Sequence, residues 1–265
     1  MRIINVFAND TDLSKETKKL LKNKLEKSDF VVPREFDPKA ELNICIGGDG
    51  SFLETLHRYN FPDIPFIGIN TGHLGFFQEL HPGNLDEFIF RYKQGKYEIQ
   101  HLKTVRAVIT IGEDNFEYTG LNEILIKGEM SRAIHLNISI GDSFIERFSG
   151  DGILVSTPAG STAYNYSLGG SIVDPRLNLL QVTPIAPMNT TAYRSFTSSI
   201  ILPPDLSIRI NPESSGEQGL LIVPDGMEHL HQGVEEIYLE FSASIVKLLR
   251  FENYDFWSKV KSKFL

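Results

Sequence analysis

Asn43-Ile44-Cys45-Ile46-Gly47-Gly48-Asp49-Gly50-Ser51-Phe52 is the stretch on which the fold turns. A short apolar run stops at two glycines. An aspartate, a third glycine and a serine follow, and Phe52, Leu53 and Leu56 then open a helical pattern. Strand, glycine loop, helix is the repeating unit of an α/β sheet. Glycines let a ligand come close to the backbone. The N–H groups of Gly50, Ser51 and Phe52 would open the helix, where an anion is favoured. Asp49 would lie at the carboxyl end of its strand, where open α/β sheets bind ligands. A carboxylate beside phosphates repels them unless it has a task, such as taking a proton from an attacking hydroxyl or holding a Mg²⁺ ion. The plain alternative is a strand-to-helix turn with Asp49 as its cap.

Outward from this stretch the first hundred residues keep the same rhythm. Arg2 to Phe7 reads as a buried strand. Leu13, Thr17, Leu20, Leu21 and Leu25 recur at helical spacing, with Asp10 or Asp12 as the expected cap. Phe66 to Ile69 is another strand, and Leu85, Phe88, Ile89 and Tyr92 mark a further helix. The alternation predicts a doubly wound parallel sheet. Near His101 the grammar changes. Val105–Ile111, Phe116–Thr119, Leu121–Lys127, Ile134–Ile140 and Ser143–Phe148 are short, closely spaced and partly alternating runs, as antiparallel strands are. Phe256, Trp257, Val260 and Phe264 return to helical spacing. The expected organisation is an α/β domain over 1–100, a β-rich domain over 101–245, and a C-terminal segment, 246–265, that packs back on the first domain.

Composition narrows the partners. The chain has 265 residues, 41% hydrophobic and 23% charged, with net charge −8 and pI about 5.4. A general nucleic-acid binder should be basic, and no Lys/Arg block long enough for a membrane patch is present. The single cysteine, Cys45, excludes an internal disulfide and a cysteine-built zinc site, and it reads as a buried small hydrophobe. No signal peptide or membrane span is visible, so the expectation is a cytoplasmic protein without nucleic-acid or membrane partners.

Walker A and G-x-G-x-x-G are both absent, so any phosphate site uses another loop. Asn70-Thr71-Gly72-His73-Leu74-Gly75-Phe76 follows a strand and reads as a second loop at the binding edge, with Phe76 either lining a pocket or part of the core. In Leu121-Asn122-Glu123-Ile124 two polar residues interrupt a strand. Adjacent side chains point to opposite faces, so one of them faces inward and needs a partner or a ligand, unless the strand lies at an edge. Ser149 to Gly170, SGDGILVSTPAGSTAYNYSLGG, is the richest stretch. Its hydroxyls and glycines suit a ligand bearing ribose and phosphate. Ser161 or Thr162 could cap a short helix, and Tyr164 could stack on a base. Pro224-Asp225-Gly226 alone is an ordinary turn.

Taken in order, GGDGS, NTGHLGF, LNE, the GDG turn, STPAGSTAYNYSLGG and PDG closely resemble the bacterial NAD kinases, from about Asn43 to Trp257. GGDG by itself is shared with diacylglycerol and sphingosine kinases and with phosphofructokinases; the G-S-T-A-Y segment is more specific. The resemblance implies a Rossmann-like, phosphofructokinase-type α/β N-terminal domain, a β-rich C-terminal domain and a cleft between them. It implies transfer of the ATP γ-phosphate to the 2′-hydroxyl of the adenosine ribose of NAD, with Mg²⁺ accompanying ATP. It also implies a homodimer or homotetramer in which a neighbour helps complete the NAD site.

Carried over by position, Asp49 takes the catalytic role, and Gly48, Gly50 and Ser51 lie by the phosphates. Asn122, Glu123, Thr162 and Ala163 hold the adenosine part of NAD. Phe76, Tyr164, Asn165 and Ser167 line the pocket. Asp151 and Ala186 approach the nicotinamide end, and Asp225 supports the site near the adenosine phosphate. Three departures stand out. Ser149 occupies a position that is basic in many members, with Arg147 nearby as a candidate source of charge. Ser51 stands for the usual Thr, and Met227 for the Gln of some relatives. A lipid or sugar kinase of the same superfamily and a non-catalytic dinucleotide-binding regulator are the competing readings. The former should need an apolar acceptor groove, whereas Ser156 to Ser167 is polar.

Overall fold

The computed structural model describes residues 2–73, 75–191, 194–213, 219–252 and 254–264; Leu74, within the NTGHLGF stretch, lies outside them. The chain forms two compact units, Met1–Leu102 with Ile245–Leu265, and Lys103–Ser244.

The first unit is α/β. Strand β1 (Arg2–Ala8) leads through helix α1 (Asp12–Glu26) to β2 (Phe30–Val31), and β3 (Leu42–Gly47) leads through α2 (Asp49–Arg58) to β4 (Phe66–Asn70). β5 (Gln78–Leu80) and α3 (Leu85–Lys93) follow. The strands lie parallel in the order β2-β1-β3-β4, with β5 and the end of the last strand (Glu236–Arg250) both pairing with β4. All six residues of β3 are buried, which is why it reads as an apolar run rather than an alternation. Ile44, Ile46, Ile67 and Ile69 meet Leu21 and Leu25 of α1 and Phe88 of α3 in one core. Each such side chain contributes about 1.5–3 kcal/mol on burial. Cys45 is buried beside them, and burial pushes its thiol up to about 12, so it is inert packing.

Two details of α1 differ from the sequence expectation. Its cap is Thr11, whose Oγ1 accepts from the Ser14 N–H at 3.4 Å, rather than Asp10 or Asp12. Leu13 and Leu20 are 49% and 47% exposed, because the buried stripe runs through Ser14, Thr17, Leu21 and Leu25. Small hydroxyl residues sit on that stripe, where the helix packs closely, and Thr17 returns its hydroxyl to the Leu13 carbonyl.

The second unit is β-rich. After β6 (Glu98–Ile111) come β7 (Asp114–Gly120), β8 (Glu123–Gly128), β9 (Ile134–Ile140), β10 (Ser143–Gly150) and β11 (Gly152–Ser156). They are followed by β12 (Leu180–Ile185), β13 (Ile200–Leu202), β14 (Ile208–Pro212), β15 (Leu220–Pro224), β16 (His229–His231) and β17 (Glu236–Arg250). An antiparallel sheet runs β13-β12-β11-β8-β15-β16. Against it, β10, β9, β14 and β17 pair antiparallel in that order, with β6 joined to β17 and β7. Ile124 and Ile126 of β8, Leu136 and Ile138 of β9 and Ile208 and Ile210 of β14 share one core between the two sheets. β8 lies inside its sheet, flanked by β11 and β15, so the LNE stretch is not at an edge.

Candidate functional site

Asp49 is the first residue of α2, with the extended Gly48 as N-cap. Its Oδ2 accepts from the backbone N–H of Phe76 at 3.0 Å and its Oδ1 from that of Phe77 at 3.1 Å. The Lys263 ammonium lies 3.8 Å from Oδ2. Gly75 is obligatory at the start of this cradle. A Cβ there would fall 2.5 Å from Asp49 Oδ1 and still closer to the Gln78 amide oxygen. Gln78 is buried, and neither end of its amide has a hydrogen-bond partner among the described residues.

The cradle is tied down from the C-terminal helix, Phe256–Phe264. Lys259 donates to the carbonyls of Gly75 at 3.1 Å, of Phe76 at 3.3 Å, and of Gln78. Burial, with the Arg250 charge adding, pulls its ammonium down to about 8 against the attraction of Glu79 and Asp49. Arg250 is itself buried, paired with Glu79 at 3.4 Å and bonded to Gln100 at 2.9 Å. The Phe76 ring packs against Phe256 and Phe264 at centroid distances of 5.7 and 6.0 Å, under the Lys263 ammonium. Phe76 therefore serves the site through its N–H, while its ring belongs to the core. Gly48 and Gly50 face open space, and Ser51 Oγ accepts from Asn9 at 3.2 Å.

In the second unit Asn122 and Glu123 are both buried, 6% and 8% exposed. Asn122 Oδ1 and Glu123 Oε2 have no hydrogen-bond partner among the described residues. Two adjacent orphan oxygens are costly unless something supplies donors to them. Burial, with the Asp225 charge adding, pushes the Glu123 carboxyl up to about 8. Asp225 stands at φ 47° in its turn, and its carboxylate accepts from the N–H groups of Leu121 (2.7 Å), Asn122 (2.7 Å) and Glu123 (3.2 Å). Its task here is to hold the Asn122–Glu123 backbone in place.

The hydroxyl-rich stretch supports the same turn from the other side. Thr157 donates through Oγ1 to the Leu121 carbonyl at 2.6 Å and through its N–H to that of Asn122 at 2.9 Å. Gly160 lies so close that a Cβ would fall 1.9 Å from the Asn122 carbonyl oxygen. Ser161 bonds Pro158 and Val173, so it does not cap the helical turn Tyr164–Ser167, whose N-cap is Ala163. Asn165 is fully buried, accepting from Thr183 and donating to Ser161 and Ser171. Thr162 is buried, Ala163 is half-buried, and Tyr164 and Ser167 are exposed.

Ser149 is buried, exchanging backbone and hydroxyl bonds with Ser195. Arg147 is held by Glu213 through a pair of bonds at 2.6 and 3.0 Å. Asp151 is exposed, as is Ala186, which holds φ 44°. Asn9, Gly75, Gln78, Thr157, Gly160, Lys259 and Lys263 were not singled out from the sequence. Of these, Gly75 lies in the NTGHLGF loop, and Thr157 and Gly160 in the hydroxyl- and glycine-rich stretch, both marked in the sequence as stretches; Asn9, Gln78, Lys259 and Lys263 carried no signal.

The family models of the ATP-NAD kinase N-terminal and C-terminal domains match residues 4–97 and 121–248. The chain is 39% identical to an NAD kinase of Finegoldia magna, over all of this chain and 98% of that one. It is 35% identical to NAD kinase 1 of Listeria innocua, over 87% of each. Among solved structures it shares its fold with a yeast NADH kinase crystallised with NADH, at a TM-score of 0.83, 22% identity and coverage of 99% of this chain and 87% of that one. It likewise matches an NAD kinase from Archaeoglobus fulgidus crystallised with ATP, at a TM-score of 0.79, 24% identity and 99% of each chain. The two units and their loops are those of a nucleotide-dependent kinase. The chain belongs to the NAD kinase family.

Proposed function

We propose that the chain transfers the γ-phosphate of ATP to the 2′-hydroxyl of the adenosine ribose of NAD, giving NADP. The observation that carries this reading is the pair of buried, unpartnered oxygens on Asn122 and Glu123. They suit a ligand rich in hydroxyl and amino donors, as adenosine is, and argue against the apolar acceptor of a lipid kinase. In the reaction the ribose O2′ bonds to the γ-phosphorus as its bond to the β,γ-bridging oxygen breaks and ADP leaves. The 2′-hydroxyl proton passes to the Asp49 carboxylate and on to water.

Both Asp49 oxygens are held by backbone N–H groups, yet each keeps a further lone pair for the hydroxyl. A hydroxyl is a poor nucleophile and a carboxylate a weak base for it, so positioning and charge neutralisation carry most of the rate. ATP is proposed to enter as its Mg²⁺ complex. Among the described residues no three His, Cys, Asp or Glu side chains cluster to hold a metal. Asp49, in the glycine loop at the start of α2, is the carboxylate that would face such an ion. When bound, Mg²⁺ neutralises charge on the transferring phosphate.

No helix among the described residues is long and apolar enough to cross a membrane. A cytoplasmic setting and a homodimer or homotetramer complete the proposal. The exposed apolar side chains Phe144, Ile145 and Ile201 of the second unit are compatible with self-association.

The test is to incubate the chain with NAD, ATP and Mg²⁺ and to measure NADP with a coupled dehydrogenase. Asp49→Asn is expected to lower kcat by about 10²–10⁴-fold, with NAD binding by calorimetry retained. Full turnover in that variant would remove the general-base role. No NADP from the unaltered chain would remove the reaction itself.

A further inference from the structure

Gln78 opens β5, and its stem is hemmed in. It pairs in register with Gly68 of β4, where a Cβ would fall 2.8 Å from its Cα and 2.9 Å from its Cγ. Its carbonyl accepts from Lys259. On the loop side, a Cβ on Gly75 would run into its Oε1 and would lie 2.5 Å from Asp49 Oδ1. The two oxygens therefore face each other across a space that one methyl group would fill. Gln78 is 3% exposed, and neither Oε1 nor Nε2 has a hydrogen-bond partner among the described residues. A buried amide orphaned at both ends is costly, and an apolar side chain of the same length would avoid that cost. Packing alone does not account for it.

The other groups around Asp49 are all donors. As a carboxylate it is well served, by the N–H groups of Phe76 and Phe77 and by the Lys263 ammonium at 3.8 Å. Once it takes a proton it carries an O–H, and that O–H needs an acceptor. None of these three groups can supply one. Gln78 Oε1 can, since its lone pairs are free and it stands beside the same carboxyl. Because Nε2 is unpartnered as well, no bond of the amide has to break for its oxygen to take that role.

We propose that Gln78 is a positioning residue for the phosphoryl transfer, its Oε1 accepting the hydrogen bond of the protonated Asp49. The assignment rests on the kinase reading above and adds to it the group that steadies the acid form of Asp49. The ribose O2′–H bond breaks as O2′ bonds to the γ-phosphorus, and the proton goes to Asp49 Oδ1. The Oδ1–H then donates to Gln78 Oε1 until the proton leaves to water. This bond has no counterpart before the proton moves. It therefore favours the transition state over the bound substrates and acts on kcat rather than on KM.

The test compares the unaltered chain with Gln78→Met, which keeps the length of the stem and removes the amide, and with Gln78→Leu as a second apolar replacement. Both should fold, with urea midpoints no more than about 0.5 M below that of the unaltered chain. In rapid-quench single turnovers with NAD and Mg²⁺-ATP, each should form NADP about tenfold more slowly, the scale of one hydrogen bond to a reacting group, with KM for NAD and for ATP changed less than about twofold. Asp49→Asn takes no proton, so adding Gln78→Met to it should lower the residual rate by less than about twofold. Single-turnover rates within about twofold of the unaltered chain in both apolar variants, KM values that rise as kcat falls, or losses that add in the double variant would each overturn the proposal. Failure of both apolar variants to fold would overturn it too, because the amide would then be holding the resting structure. If the unaltered chain makes NADP while these outcomes go against Gln78, the role of Gln78 alone is wrong. If it makes no NADP, the kinase reading fails and the role of Gln78 falls with it.

Discussion

Glu123→Gln separates charge from shape at the buried acceptor pair. The Glu123 carboxyl is pushed from the ordinary 4.5 up to about 8, first by burial and then by Asp225. Between those values the folded chain keeps a proton that the unfolded chain has released. The unfolded state thus binds fewer protons there, so stability falls as pH rises through the window and levels off above about 8. The window spans about 3.5 pH units, 8 minus 4.5. At about 1.4 kcal/mol per unit, the loss reaches up to about 5 kcal/mol.

Gln keeps the size of the side chain but does not titrate, so it removes this slope. Urea unfolding of both proteins at about pH 5, 7 and 9 reads the effect. The two should agree within about 1 kcal/mol at the acid end, where both side chains are neutral. Glu123→Gln should be the more stable by several kcal/mol at the alkaline end. A stability difference between the two that stays constant across the range would show that Glu123 is not held neutral, and the reasoning from its burial would fail.

Gly75→Ala forces a methyl group against Asp49 Oδ1 and the Gln78 amide. It should lower kcat for NADP formation by about 10²-fold, the scale of a displaced catalytic group, with KM for NAD little changed. Gly160→Ala drives a Cβ into the Asn122 carbonyl, where both neighbours are backbone and cannot swing away. It should cost about 1–3 kcal/mol in denaturant unfolding and weaken NAD binding. Wild-type stability with wild-type affinity would show that the turn relaxes freely.

What the sequence made legible was local. The run from Asn43 to Phe52 carries its strand, loop and helix in consecutive residues, and the structure has β3, Gly48 as cap and α2 there. Asn122 and Glu123 stood out because polar residues interrupted an apolar strand, and both proved buried. What stayed hidden depends on distant chain segments. The donors that hold Asp49 are backbone N–H groups of Phe76 and Phe77, which leave no side-chain signature. Lys259 looks like any helical lysine until its carbonyl partners near Gly75 are known. The hydroxyls of Thr157 and Ser161 suggested a ligand because a sequence cannot distinguish a hydroxyl facing solvent from one bonded to its own backbone. Similarly, Thr11 outcompeted two nearby aspartates as the cap of α1 through the geometry of one turn.

The fastening of the Asp49 cradle by Lys259 has a consequence for how the molecule comes into being. The Asp49 loop is translated early, and the whole of the second unit is translated before the lysine that secures Gly75, Phe76 and Gln78. On a ribosome, where segments fold as they emerge, the loop that holds Asp49 cannot gain its bonds from Lys259 until the helix bearing that lysine has emerged. A chain interrupted before that helix would carry all of β1 to β17 and the N–H groups that bind Asp49, but not the lysine that fastens their loop. Under the proposed reaction, full activity is expected only from chains that carry the helix Phe256–Phe264.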